Sequence, residues 1–201
     1  MACDPVIIAF DTSAAHCAAS VLVGDQIRAS IVRSMAKGQA ETIPLLLDDV
    51  LEQAGQTWNT VNAIAVGTGP GNFTGIRISV SLARGLALAR ALPAIGVTQF
   101  DAAWATVDAN VVATVSAPRD QVYFAARDQG TDSAKLGAPC DAAALGLPVL
   151  PPLNAQTLVE HIAQVGRHRL LQGHPNSRPV PFYIKPADAA PSRDIVPQRL
   201  T

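Results

Sequence analysis

Hydrophobic positions along the chain change their period several times, and each change marks an element. Val6, Ile7, Ile8, Ala9 and Phe10 form an unbroken apolar run ending in Asp11, Thr12 and Ser13, which predicts a buried strand feeding a polar turn. Residues 17–23 and 26–32 flank Gly24 and Asp25, the pattern of a hairpin closed by a two-residue turn. The period then lengthens. Ile43, Leu46, Leu47, Val50, Leu51 and Ala54 share one helical stripe closed by Gly55, with Pro44 expected in the first turn. Residues 61–66 predict the next strand, 74–90 a helix, 94–97 a short strand and 100–107 another helix.

The order β-β-β-α-β-α-β-α predicts an α/β fold whose mixed sheet is joined by helical crossovers. Near residues 107–110 the pattern restarts: residues 111–116 and 121–127 read as a second hairpin across Ala117, Pro118, Arg119 and Asp120. Residues 130–152 are rich in Gly, Pro and Ala and give a weak signal, while 154–165 predict a helix with Leu158, Ile162 and Val165 on one side. Repeated prolines beyond Gly173 predict an extended tail. The restart suggests two related lobes, residues 1–108 and a reduced second lobe over 109–201.

Composition narrows the function. The 201 residues are 49% hydrophobic and only 15% charged, below the usual quarter, which suggests apolar surface covered by a partner. A net charge of −1 supplies no polycationic face for autonomous nucleic-acid binding. Residues 1–5 carry an acid and no lysine or arginine, unlike a signal peptide, and Arg84, Arg90 and Pro93 interrupt the best apolar run, so no membrane span is expected. Cys3, Cys17 and Cys140 are odd in number and widely spaced, as in reduced cytoplasmic thiols, not a disulfide frame or zinc site.

The richest segment is 63–79, a strand running through Gly67, Gly69, Gly71 and Thr74 into a helix. Such a turn points backbone N–H groups and the positive end of a helix dipole at one spot, so it can cradle an anion. Its spacing matches neither a dinucleotide fingerprint nor a P-loop, and a tight turn that needs glycine conformations explains it equally well. Asp11, Thr12 and Ser13, a second strand-end turn, could position a phosphate or hydrated magnesium; otherwise their hydroxyls cap their own turn.

In the following helix Gly75, Ser79, Ala83, Ala87 and Ala91 recur every four residues, while Ile76, Ile78, Val80, Leu82, Leu86 and Leu88 cover most of the remaining circumference. A helix apolar nearly all round is buried on more than one side, and in so small a lobe one side is expected to meet another protein. Arg77 and Arg84 share a face and could meet acids on a partner or ligand. Catalytic signals are thin. His16, His161, His168 and His174 form no close pair, no metal spacing or serine elbow occurs, and Cys17 lies within a predicted strand as an inert thiol.

Ile8 to Ser13, the helix ending Leu51, Glu52, Gln53, Ala54 and Gly55, and Ala63 through Gly85 with Gly96 and Val97 resemble the bacterial TsaB (YeaZ-like) family of tRNA threonylcarbamoyladenosine biosynthesis. Residues 112–127 and the tail from Phe182 to Asp188 match more weakly. The resemblance implies an actin-like, Hsp70-like (ASKHA) two-lobed fold with a reduced second lobe. It also implies a non-catalytic paralogue of the transferase TsaD that heterodimerises with it and is required to modify the adenosine next to the anticodon of tRNAs reading ANN codons. TsaC-type enzymes would supply the threonylcarbamoyl-adenylate and a small ATPase, TsaE, would complete the machinery; a homodimer is an alternative for the chain alone.

The catalytic paralogue carries a His-x-x-x-His metal motif where this chain has Gln99 and Ala103, so the resemblance implies no metal and no required cofactor, with ATP or ADP binding at most weak. By the same resemblance, Asp11, Thr12, Ser13, Gly67, Gly69, Gly71 and Thr74 would form a vestigial phosphate site. Leu46, Val50, Gly75, Ile76, Ser79, Val80, Ala83, Arg84 and Ala87 would form the dimer surface. The chain departs from the family at residues 38–41 (Gly-Gln-Ala-Glu), at Asn72 where serine is usual, and at residues 117–120. The competing readings are a metal-dependent glycoprotease-type peptidase, disfavoured by the missing histidines, and a nucleotide-binding phosphotransferase of the actin-like fold, which lacks an evident base.

Overall fold

The computed structural model describes residues 4–173 and 178–184. Its first sheet has the order β3-β2-β1-β4-β5, built from β1 (Val6–Asp11), β2 (His16–Val23), β3 (Gln26–Ser34), β4 (Ala63–Gly67) and β5 (Ala94–Val97). β1 pairs antiparallel with β2, Ile8 opposite Val21, and parallel with β4, Ile8 opposite Ile64. β4 continues parallel to β5. A hairpin followed by two parallel crossovers is the lobe topology implied by the resemblance.

β1 is apolar at successive positions because both faces of the sheet are covered. Val6, Ile8 and Phe10 point into one core with Ile43, Leu46, Leu47 and Val50 of α1 (Gln39–Gln53) and Ala83 of α2 (Phe73–Arg90). Ile7 and Ala9 point into the other, with Leu158, Val159, Ile162 and Ala163 of α5 (Ala155–Leu171). At Gly166 of α5 a Cβ would stand 2.5 Å from that of Ala65, so glycine sets the approach of helix to sheet.

The second sheet, of order β8-β7-β6-β9, comprises β6 (Val112–Ser116), β7 (Val122–Ala126), β8 (Lys135–Gly137) and β9 (Val149–Leu150). α3 (Gln99–Trp104) packs on one face of it through Phe100, Ala103 and Trp104. Ala142 of α4 (Pro139–Ala143) packs on the other with Phe124. α3 is shorter than the 100–107 expected; Thr98 and Asp101 cap each other at its start.

Several expectations need adjustment. α1 starts at Gln39 behind Gly38, so Pro44 lies in the second turn and leaves the Ala40 carbonyl without its helical donor. The weak stretch 130–152 holds β8, α4 and β9. α5 follows the second sheet in sequence but packs on the first. His161 Nδ1 lies 2.8 Å from Ala102 O, and Arg169 pairs with Asp101 at 2.9 Å, which ties α5 to α3. Cys3, His174 and the tail from residue 185 onward lie outside the described residues.

Candidate functional site

The turn after β1 and the turn after β4 close on each other at one end of the first sheet. Ser13 donates to Asp11 Oδ1 from its backbone N at 2.9 Å and from Oγ at 2.8 Å, and His16 Nε2 lies 2.9 Å from the same oxygen. Thr12 Oγ1 donates to Gly75 O at 2.7 Å, and the Asn72 amide donates to Ser13 O at 2.6 Å. A Cβ at Gly71 would overlap Ser13 O, and one at Gly75 would overlap Thr12 O. The glycines therefore let two backbones touch.

Two glutamines complete the seal. Gln39 Nε2, at the start of α1, donates to Ala14 O at 2.6 Å and His16 O at 2.8 Å, with Thr12 O at 3.4 Å. Gln99 Nε2 donates to Ser13 Oγ at 2.9 Å and to Pro70 O at 2.7 Å. Gln39, one of the departures from the family pattern, satisfies carbonyls that the turn leaves open. Asn72, another, is the N-cap of α2, its side chain accepting from the Gly75 amide at 2.9 Å. Sequence reasoning named both positions without their roles; that of Gln39 consists of hydrogen bonds to a turn more than twenty residues away, whereas the Asn72 cap is local.

Asp11, Thr12, Ser13, Gly67 and Gly71 thus lie together at this end of the sheet. Gly69 faces Ile76 and Phe182 instead, and Thr74 is exposed on the first turn of α2. Asp11, Thr12, Gly67 and Gly69 are buried, and Asp11 Oδ2 has no hydrogen-bond partner. A buried carboxylate beside an approaching phosphate repels it, and two of the loop amides, those of Asn72 and Gly75, are already held by Ser13 O and Asn72 Oδ1. Beside this seal a cleft of about 470 Å³ separates the sheets, with Ser13, His16, Asn72 and Gln99 on one wall and Ser116 and Tyr123 on the other. Among the described residues no three His, Cys, Asp or Glu side chains come together in a metal-binding group. Cys17 is buried with its Sγ 3.7 Å from Gln39 O, and loss of hydration raises its pKa from 9.0 to about 11.

The structure corrects the expected partner surface. Leu46, Val50, Ile76, Ser79, Val80 and Ala83 are buried within the chain at 2% exposure or less, and Gly75 is buried with them. The small-residue ridge lets α2 settle on β4 and on the Asp11 turn, where Ser79 Oγ donates to Gly67 O at 3.2 Å. What remains open is the opposite side. Arg84 and Gly85 are exposed, Ala87 is half-buried, Leu88 is 86% exposed, and Leu45 on α1 is 62% exposed. Arg90 lies 4.5 Å over the Trp58 ring, whose Nε1 donates to Asp48 of α1 at 2.7 Å. No helix among the described residues is long and apolar enough to cross a membrane.

Residues 27–172 match the family profile described as TsaD, tRNA N6-adenosine threonylcarbamoyltransferase. Over 124 residues the chain is 34% identical to the tRNA threonylcarbamoyladenosine biosynthesis protein TsaB of Escherichia coli, covering 59% of this chain and 53% of that protein. The Haemophilus influenzae protein of the same name is 33% identical over 123 residues, 59% of this chain and 52% of its own length. The chain therefore spans about half the length of these curated relatives. Its fold matches a Pseudomonas aeruginosa protein described as similar to peptidase YeaZ, with a TM-score of 0.69 at 24% identity, over 90% of this chain and all of the other.

Proposed function

This chain belongs to the family of tRNA N6-adenosine threonylcarbamoyltransferases, and from that premise we propose that it is a non-catalytic subunit of threonylcarbamoyladenosine biosynthesis. It acts by docking on the catalytic paralogue and holding it in its active arrangement. The observation that carries the reading is the seal at the strand ends. Ser13, Gln99 and one oxygen of Asp11, where an active site of this family would need open ligands, are taken up by hydrogen bonds within the chain, and the other Asp11 oxygen is buried against Gly67. A side chain already engaged within its own chain is not poised to bind substrate, metal or phosphate. The protein requires no cofactor of its own, and nucleotide binding is vestigial.

The contribution to the reaction is association energy. The open side of α1 and α2, with Leu45, Gly85 and Leu88, offers apolar helical surface whose burial, at about 25 cal/mol per Å², must exceed the costs of association. The wider complex includes a TsaE-type ATPase, and tRNA is reached through the complex. The work is done in the cytoplasm.

Reconstitution tests the reading. Transfer of the threonylcarbamoyl group to tRNA by the catalytic paralogue should depend on this chain and persist when Gln99→Ala opens the seal. Transfer that proceeds equally without this chain would overturn it.

A further inference from the structure

Residues 178–184 cross the start of α2 and touch both halves of the molecule. Pro179 is buried, and its carbonyl accepts from Arg84 Nε at 2.7 Å. The Phe182 amide donates to Thr68 O at 2.8 Å, and Phe182 O lies against Gly69, where a Cβ would come within 3.0 Å of it. The Phe182 ring meets Phe100 edge-on at 6.3 Å between centroids, inside the cluster joining α3 to β6 and β7. Tyr183 lies 5.1 Å from Phe73 and its hydroxyl accepts from Arg77 Nε at 3.2 Å.

This segment engages the two arginines that share the outer side of α2. Among the described residues neither arginine pairs with a carboxylate; each donates to a neutral oxygen of the segment. A charged acceptor forms a hydrogen bond roughly twice as strong. The segment adds no strand to either sheet, and Val180 and Tyr183 are exposed. A segment tied by isolated hydrogen bonds, outside any sheet ladder, can open below the free energy of global unfolding even though Pro179 and Phe182 are packed.

We propose that residues 178–184 form a strap that opens and closes over the corner between α2 and the glycine loop. Closed, it occupies Arg77 and Arg84 and covers Thr68 and the slot beside Phe100. Open, it presents both guanidinium groups on the side of α2 that faces the partner, where carboxylates of the partner take the place of Pro179 O and the Tyr183 hydroxyl. This last clause rests on the docking role proposed above; the opening itself does not.

Hydrogen exchange on the full chain, read without any partner, tests the opening. The Phe182 amide, which is hydrogen-bonded to Thr68 O in the closed strap, should exchange at least a hundredfold faster than the amides of β1 and β4. Phe182→Ala should speed exchange of residues 67–73 about tenfold and leave β1 and β4 unchanged. Protection of the strap equal to that of β4, or no change at 67–73, would overturn the proposal. If Phe182→Ala loosens the whole chain, Tyr183→Phe decides, since it keeps the ring against Phe73 and removes only the hydrogen bond to Arg77. It should speed exchange of the strap alone, and unchanged exchange there would overturn the proposal. Titration with the catalytic paralogue then tests the gating. Phe182→Ala should bind several-fold more tightly, because the opening step is already made. Equal binding by both forms would overturn the gating, whereas no binding by either would instead count against the docking role.

Discussion

Asp11 and Gly67 lie side by side at the ends of the parallel strands β1 and β4, so close that a Cβ on Gly67 would overlap Asp11 Oδ2. The contact explains the first glycine of the loop without reference to any ligand. It also fixes the carboxylate so that its other oxygen gathers Ser13 and His16.

Gly67→Ala must push Asp11 or β4 aside, and overpacking of this kind costs about 1–3 kcal/mol. Gly85, on the exposed side of α2, has nothing within 4 Å of its Cβ position. Gly85→Ala should stabilise the chain by about 0.5–1 kcal/mol, the usual helix-interior difference between the two residues. Urea unfolding of the two variants should therefore give midpoints shifted in opposite directions.

Asn72 is an N-cap, so its replacement is predictable. Asn72→Ala removes the acceptor for the Gly75 amide and should lose about 1 kcal/mol. Asn72→Ser supplies a comparable cap and should fall within about 0.5 kcal/mol of the parent. Thermal unfolding of the pair checks whether capping or a ligand explains this position; equal losses in both variants would argue against the cap.

The buried thiol of Cys17 imposes a pH dependence. Its pKa is 9.0 ordinarily and about 11 in the fold, because burial disfavours the thiolate. Below pH 9 both states keep the proton and the group is neutral to stability. Between pH 9 and 11 the unfolded chain releases a proton that the folded chain retains, so stability falls as pH rises, at up to about 1.4 kcal/mol per pH unit. Cys17→Ala should remove that slope, and denaturation at pH 8, 9.5 and 10.5 would show it. An identical slope in the variant would assign the loss to other groups.

What was legible in the sequence follows from the range of the interactions. β1, the first hairpin and the stripe of α1 announce themselves because their period reflects faces buried by the whole lobe. β8 and β9, of three and two residues, are too short to show a period. The place of α5 is set by Ala65 and Ile7 meeting Gly166, which lies more than a hundred residues further along the chain, and nothing local encodes that. The ridge of Gly75, Ser79 and Ala83 was visible, but its direction was not: small residues permit close approach equally to a sheet of the same chain and to a helix of another. The seal by Gln99 spans 86 residues to Ser13, so the meeting of the two turns could be expected and their closure could not.

That direction of the ridge separates two substitutions on one helix. Ala83 is fully buried and Leu88 is 86% exposed. Ala83→Glu buries an unpaired carboxylate and should unfold the lobe, not selectively weaken a complex. Leu88→Glu should leave circular dichroism and the unfolding midpoint unchanged. The measurement that tests the docking role most directly is light scattering of this chain mixed with the catalytic paralogue, parent against Leu88→Glu. The account predicts a one-to-one complex for the parent and at least a tenfold weaker one for the variant. No complex with the folded parent at micromolar concentration, or equal binding by both, would contradict it.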